Sequence, residues 1–123
     1  MNDPFVQTYV KSQYALALSA LGKVKEAIVL NESVISYAEK NDRPPNIAGH
    51  YANISELYGK DNQPKKSIYY AKKALELSDQ YGFWGPGKVA ATNLAQSYAS
   101  LGNFEEAFRY QKVQDRYEDS LDV

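Results

Sequence analysis

The sequence of 123 residues contains no cysteine and a single histidine, His50. Without cysteine the chain can form no disulfide, no thiolate metal site and no cysteine nucleophile. One histidine is too few for a zinc site or for a catalytic triad built on histidine. We therefore expect no metal, no cofactor and no catalytic residue, and we do not expect this chain to be an enzyme.

The chain also has little net charge and no long apolar run. Its formal net charge is −1, whereas binding to nucleic acid or to an anionic membrane needs a surplus of Lys and Arg. No apolar stretch approaches the roughly 20 residues of a membrane-spanning helix. These features predict no nucleic-acid partner and no membrane contact by this segment. The remaining composition, 44% hydrophobic and 24% charged, is typical of a soluble globular domain.

What the sequence does contain is a repeat with a period of 40 residues. The loop residues Gly22, Asn62 and Gly102 stand 40 positions apart, and the same register holds on both sides of them. Small residues recur seven positions before and five positions after each loop residue: Ala15 and Ala27, Ser55 and Ser67, Ala95 and Ala107. Large residues recur four before and eight after: Leu18 and Leu30, Tyr58 and Tyr70, Tyr98 and Tyr110.

This alternation of small and large residues predicts stacked helix pairs. Two helices approach closely only where small side chains meet, so each small pair marks a crossing within one repeat. The large residues beside each crossing are expected to fill the core, and we expect the same of Tyr14. A single helix pair cannot bury its apolar face, whereas about three stacked pairs can.

Helix boundaries follow from proline and from one capping pattern. Pro4, Pro44, Pro64 and Pro86 each stand near an expected helix start, where the missing N–H of proline is tolerated. Asn103, followed three residues later by Glu106, predicts a capping box. The predicted helices are 5–20, 24–40, 46–59, 64–80, 86–100 and 104–119.

The repeats resemble the tetratricopeptide pattern of a leucine, a small residue, a tyrosine, a loop glycine and a crossing alanine. Repeat three carries it as Leu94, Ala95, Tyr98, Gly102 and Ala107. Repeat two has Ile54, Ser55, Tyr58, Asn62 and Ser67, and repeat one has Ala15, Leu18, Gly22 and Ala27. The resemblance implies an all-α, right-handed α-solenoid of three helix–turn–helix repeats. They occupy about 5–40, 46–80 and 86–119 of a single domain spanning 1–123.

The period departs from the family's usual length of about 34 residues. We expect the extra residues between the repeats, at 41–45 and 81–85. Forty-residue versions resemble repeat arrays of bacterial peptide-sensing regulators, and arrays that precede histidine kinases and often close with a Tyr…Asp-Ser-Leu stretch like 117–121 here. This resemblance implies a fragment of a longer bacterial signal-transduction protein, such as a two-component sensor. The compartment, cytoplasmic or periplasmic, stays open.

Proteins of this family bind other proteins or peptides, so the resemblance implies protein–protein interaction on a concave face lined by the first helix of each pair. The candidate peptide-binding residues on that face are Gln13, Leu16, Asn53, Glu56, Lys60, Thr92, Asn93 and Gln96. One alternative is a self-association module that forms a homo-oligomer. Another, from a different class, is part of an enzyme or nucleic-acid-binding regulator whose active domain lies outside this chain.

Asn53 and Asn93 recur in register although asparagine is mildly unfavourable inside a helix. One use of such an amide is a hydrogen bond to a neighbouring helix, which would orient the repeats. The other is recognition, because an amide offers both a donor and an acceptor to the backbone of an extended peptide. The sequence leaves both uses open.

Two further patterns lie around residues 82–88. Gly82, Gly87 and Lys88 fit most of a phosphate-binding loop, but Val89 stands where such a loop needs Ser or Thr, and we interpret the segment as a turn. Phe83 and Trp84 are aromatic residues in a connection rich in Gly and Pro. They either seal the joint between repeats two and three or form an exposed contact for a partner.

Overall fold

The computed structural model describes residues 3–121, and these form six α-helices joined by short connections. Each predicted helix is found, and its ends lie within two residues of the predicted ones. No strand occurs within the described range. The helices are α1 Pro4–Ala20, α2 Val24–Asn41, α3 Pro44–Lys60, α4 Pro64–Tyr81, α5 Trp84–Ser100 and α6 Phe104–Leu121.

The turn inside each repeat has the same geometry three times. Gly22, Asn62 and Gly102 all adopt a positive φ, of 82°, 59° and 77°. The N–H of the next residue bonds back to the carbonyl five positions earlier, as from Lys23 to Leu18 at 2.8 Å. This left-handed helix end favours Gly and tolerates Asn, which explains the two residue types found there. Asn103 caps α6 by accepting the Glu106 N–H at 3.3 Å, which is one half of the predicted capping box; the Asn103 N–H bonds to the Tyr98 carbonyl and not to the Glu106 side chain.

The extra residues of the long period lie in the helices, and the expectation of long connections at 41–45 and 81–85 is wrong. Only residues 42–43 and 82–83 stand outside helices at these joints. The first helix of every repeat has 17 residues and the second has 18. Pro44 and Pro45 are therefore the first residues of α3, where fixed φ and a missing N–H suit the first helical turn.

The small residues meet where the sequence predicts the crossings. Ser55 and Ser67 are fully buried, and the Ser55 hydroxyl donates to the Ser67 carbonyl at 2.9 Å. Ala15 and Ala27 are equally buried in repeat one. In repeat three Ala95 is buried but Ala107 is only half-buried, because no further helix covers α6 within the described chain.

The large residues beside the crossings pair across each repeat. Tyr58 stacks on Tyr70 and Tyr98 stacks on Tyr110, with ring centroids 5.8 and 5.7 Å apart. The prediction that Tyr14 belongs to the core is wrong, since 59% of its surface is exposed. Its equivalents, Ile54 and Leu94, are fully buried against the preceding repeat, and α1 has no described repeat before it.

Consecutive helices pack against each other along the whole described chain, and α3 also contacts α5. This order of contacts makes the protein an all-α solenoid of three helix–turn–helix repeats. The first helices, α1, α3 and α5, share one side of it.

Candidate functional site

One continuous surface runs along α1, α3 and α5, and we call it the inner groove. It carries three cavities, one between α1 and α3, one between α1, α2 and α3, and one between α3 and α5. Asn53 lines the first two cavities, and Glu56 and Lys60 line the second and third. These shared residues join the cavities end to end.

The cavity between α3 and α5 has a volume of about 450 Å³, and most of the residues that line it have polar side chains. Glu56 and Lys60 come from α3, and Asn93 and Gln96 come from α5. Glycine and serine complete much of the wall, so little side-chain bulk closes the opening. The small side chains leave room for a polypeptide backbone to approach.

Asn93 forms a hydrogen bond between α5 and α3. Its side chain is 6% exposed, and its Nδ2 donates to the Ala52 carbonyl of α3 at 3.4 Å. This bond orients α5 on α3, which is the local use of asparagine. The amide therefore serves the joint between repeats two and three, although it also lines the cavity.

The joint between α1 and α3 is more open. The backbones of α3 and α5 approach each other closely, whereas those of α1 and α3 do so much less. The bond equivalent to that of Asn93 would run from Asn53 to the Ser12 carbonyl, and it is not formed. Asn53 is half-buried instead, between two cavities. The same residue type is thus engaged at one joint and available at the other.

The small cavity between α1, α2 and α3, about 120 Å³, contains a buried polar atom without a partner. Asn31 is 3% exposed, and its Oδ1 accepts no hydrogen bond from the described residues. Lys60 reaches across this cavity to the Ser19 hydroxyl of α1, with Nζ and Oγ 3.4 Å apart. A buried acceptor beside an open space can take a donor from a ligand or from solvent.

The cavity between α1 and α3, about 370 Å³, contains two more such atoms. We call it the α1/α3 cavity. Ser12 Oγ and His50 Nδ1 are both buried and have no partner in the described part of the chain. Burial lowers the pKa of His50, and the nearby carboxylate of Asp42 opposes that shift only in part. The imidazole is therefore held in its neutral form.

All eight residues predicted for the binding face can now be placed. Seven line the three cavities: Gln13 the α1/α3 cavity, Leu16 the small cavity, Gln96 and Asn93 the cavity between α3 and α5, and Asn53, Glu56 and Lys60 the junctions. Thr92 lines none of the three. Its hydroxyl donates to the Lys88 carbonyl one turn earlier in α5, at 3.0 Å.

The sequence placed Ser12 on this face, but it did not indicate Asn31 or His50. His50 looked like an ordinary histidine near a helix start, because its buried Nδ1 depends on how α1 lies over α3. Asn31 had one signal: its equivalent in repeat two is Ala71, fully buried, so an amide there replaces a small packing residue. Such a substitution at a core position of a repeat marks a polar site.

The segment around residues 82–88 is a helix junction and not a phosphate loop. Gly82 ends α4 with a φ of 78°, and Gly87 lies inside α5 against the Tyr117 ring. Lys88 pairs with Glu118 of α6, at 3.4 Å. Trp84 packs edge-on against Tyr117 with half of its surface exposed, so it covers the joint and also faces solvent.

Outside the inner groove, the described chain shows a further cavity but no metal site. A cavity of about 600 Å³ lies between α4 and α6, where Arg109, Lys112 and Arg116 line it. Within residues 3–121, no three His, Cys, Asp or Glu side chains come together as metal ligands. None of the helices in that range combines the length and apolar character that crossing a membrane requires.

Comparison with known proteins agrees with this architecture. Residues 89–122 match the family model described as tetratricopeptide repeat. The fold is similar to the crystal structure of the nearly identical TPR-like repeats of a putative kinesin light chain from Podosopora anserina, with a TM-score of 0.77 and 18% sequence identity. That match covers 98% of this chain and 58% of the other, so this chain spans little more than half the length of its structural relative. The curated proteins contain no match. The family model thus covers the third repeat, and the structural match shows that the described chain has the fold of a solenoid of TPR-like repeats.

Proposed function

We propose that this protein is a binding scaffold whose inner groove takes an extended segment of another protein, mainly through its backbone. The observation that carries the proposal is the row of three joined cavities, lined by amides and hydroxyls and by only three charged side chains. Tetratricopeptide repeats are a scaffold family without catalytic machinery of their own, which supports binding over catalysis.

Asn53 is the residue on which this proposal depends most. Its amide can donate to a peptide carbonyl and accept from a peptide N–H, and no bond to a neighbouring helix occupies it. Asn93, in contrast, is engaged with α3. We therefore expect Asn53 to contribute to binding, and Asn93 to contribute mainly to the orientation of α5.

The test begins with random linear peptides displayed on phage and selected against the protein. Selected peptides are then titrated against wild type and two variants. Asn53→Ala should weaken binding by about 1–3 kcal/mol, the worth of a lost hydrogen bond with its buried partner. Asn93→Ala should lower the melting temperature, since it leaves the buried Ala52 carbonyl without that donor.

Gln80→Ala is the matched control, because Gln80 is an exposed amide on α4 that lines none of the three cavities. Its affinity for the selected peptides should equal that of wild type. Peptides that bind Asn53→Ala and wild type equally, or that shift only the NMR signals of α2, α4 and α6, would show that the inner groove is not the binding surface.

We further propose that the chain is the sensing or interaction segment of a longer bacterial regulatory protein, such as a two-component sensor. The period of 40 residues and the stretch 117–121 support this placement, through their resemblance to the arrays of such proteins. Reading the complete open reading frame tests it. A kinase or DNA-binding domain on the same chain is expected, and an unrelated enzyme domain would refute the placement.

Self-association is a second candidate, favoured by the outer surface of α1. Val6, Val10 and Tyr14 follow one another at helical spacing, and more than half of each is exposed. An exposed apolar stripe of this kind is typical of an interaction surface. Sedimentation equilibrium of wild type and Tyr14→Glu tests this candidate. If α1 mediates self-association, wild type should have the molar mass of an oligomer and Tyr14→Glu a lower one.

A further inference from the structure

The α1/α3 cavity differs in charge from the other two cavities of the inner groove, which each contain both Glu56 and Lys60. Asp42 is its only charged residue, and neither Lys nor Arg lines it. Ser12 and His50 line it, with Ser12 Oγ and His50 Nδ1 buried and without partners among the described residues, and Gln13 and Asn53 add their amides to the lining. All of these groups can accept a hydrogen bond.

The start of α3 adds no donors that could attract an anion. A helix N-terminus usually binds anions through its unpaired N–H groups. Here Pro44 and Pro45 have no N–H, and those of Asn46 and Ile47 bond to the Arg43 carbonyl at 3.0 and 3.1 Å. The Arg43 N–H bonds to Asp42 Oδ1 at 2.8 Å. The helix start is therefore saturated.

Asp42 retains accepting capacity after this capping. Its Oδ1 accepts from the Arg43 N–H and from Asn46 Nδ2, both at 2.8 Å. Its Oδ2 has no such partner among the described residues. The carboxylate is half-buried, so its charge is screened less by water than that of a fully exposed residue.

We propose that the α1/α3 cavity is a subsite for a basic side chain, the guanidinium of arginine or the ammonium of lysine, in the segment bound by the inner groove. The inference rests on the proposed function and names the chemistry of part of its ligand. Arginine fits best, because its planar group has five donors for the Asp42 carboxylate, the Ser12 hydroxyl and His50 Nδ1. The exposed ring of Tyr9 can cover the cation from the α1 side.

The same geometry makes the subsite sensitive to pH. Neutral His50 can accept a hydrogen bond at Nδ1, whereas protonated His50 donates there and adds a second cation. The titratable groups that face it across the cavity are Asp42, from the connection before α3, and Tyr9 of α1. Burial keeps the pKa of His50 below its ordinary value of 6.5. Binding of a cation is therefore expected near neutral pH and lost as the pH falls through the lowered pKa.

The test uses small probes, so it does not require the natural ligand. N-acetyl-L-arginine amide is titrated into isotope-labelled protein near pH 7.5 and followed by NMR. N-acetyl-L-citrulline amide is the uncharged probe of nearly the same shape. We expect the arginine probe to shift the signals of Ser12, His50 and Asn53 and to bind about tenfold more tightly than the citrulline probe.

Two variants and one control make the assignment specific. Asp42→Asn removes the charge but keeps an oxygen that can cap α3, and it should weaken the arginine probe about tenfold. Glu105→Gln removes an exposed carboxylate at the start of α6, outside the cavity, and should change nothing. His50→Asn places a non-titrating acceptor near the position of Nδ1 and should remove the loss of affinity that wild type shows as the pH falls through the lowered pKa of His50.

The outcomes separate this inference from the proposed function. Equal affinity for the arginine and citrulline probes, or an unchanged affinity of Asp42→Asn, overturns the subsite. If phage-selected peptides still bind through Asn53 in that case, the groove function stands without it. If the arginine probe binds at Ser12 and His50 while no peptide binds the inner groove, the subsite is confirmed and the groove function is wrong.

Discussion

Gly87 is the residue whose smallness the packing requires most directly. A Cβ at this position would lie 2.5 Å from Cε1 and Cζ of Tyr117. That ring cannot move freely, since it is 5% exposed and its hydroxyl donates to Asp79 at 2.6 Å. We expect Gly87→Ala to lower the free energy of unfolding by about 1–3 kcal/mol through overpacking, although alanine favours a helix by about 1 kcal/mol. Urea denaturation followed by circular dichroism measures the change.

Gly49 is the matched control, because it also lies inside a helix and a Cβ there would meet nothing within 4 Å. Gly49→Ala should therefore raise the free energy of unfolding, by about 0.5–1 kcal/mol. The two glycine substitutions should have opposite signs. If both substitutions stabilise the protein, Tyr117 does not pack as closely against Gly87 as the structure indicates.

The different roles of Asn53 and Asn93 could not be predicted from the sequence. Asn53 and Asn93 occupy the same position of their repeats, so the sequence treats them alike. Asn93 bonds to α3, whereas Asn53 bonds to no neighbour because α1 lies farther from α3 than α3 does from α5. The distance between helices arises from many side chains, and no single residue encodes it.

The helices were predictable because each boundary depends on local chemistry. Proline at helix starts and a residue with positive φ after α1, α3 and α5 set the ends within two residues. The place of the extra residues was not predictable in the same way. The period of 40 residues led us to expect the extra residues between the repeats, at 41–45 and 81–85, but proline is tolerated in the first turn and the helices extend into these segments.

The core of each repeat was predictable except at the end of the array. Tyr14, Ile54 and Leu94 are equivalent in sequence, and only Tyr14 is exposed. We expect Leu94→Ala to lower the free energy of unfolding by about 2–5 kcal/mol, because it removes a buried side chain from the core. Tyr14→Ala should change it by no more than about 0.5 kcal/mol, as for an ordinary surface residue.

Both variants are compared with wild type in the same denaturation experiment. A loss for Tyr14→Ala as large as for Leu94→Ala would mean that α1 is covered in solution, either by a second copy or by another part of the chain. Measuring Tyr14→Ala at several protein concentrations separates these cases, since only coverage by a second copy depends on concentration.

At the scale of the whole molecule, the two ends of the solenoid differ. The outer surface of α1 is apolar, whereas α6 presents Gln111 and Asp115 at its surface, hydrogen-bonded to each other at 3.3 Å. A polar outer face is what a terminal repeat needs for solubility. The second half of α6 therefore gives the C-terminal end a polar surface, although Phe104 and Phe108 are exposed in its first half, whereas the outer surface of α1 is apolar.

This asymmetry should appear in the local stability of the helices. In a repeat protein, each repeat depends on its neighbours, so an end that packs on one side only opens more easily than the middle. The described buried residues of α1 are only Thr8, Ala15 and Leu18, whereas α3 and α5 each bury seven. The backbone of α1 also approaches α3 less closely than that of α5 does, so α1 is held mainly by α2, with the hydrogen bond from Lys60 to Ser19 as a contact with α3.

We therefore expect the backbone amides of α1 to exchange with deuterium faster than those of α3 and α5. Hydrogen exchange followed by mass spectrometry or NMR measures this, under native conditions in which local openings are seen. The Gly87→Ala variant adds a directional check, because it should speed exchange in α5 and α6 far more than in α1. Equal protection in all six helices would contradict the picture, since it would mean that the chain opens as one cooperative unit and that the weak joint between α1 and α3 has no effect on local stability. Slow exchange in α1 alone would show that its apolar surface is covered in solution.

A peptide bound in the inner groove should also protect α1, because a ligand that contacts both α1 and α3 must keep the two helices together while it stays bound.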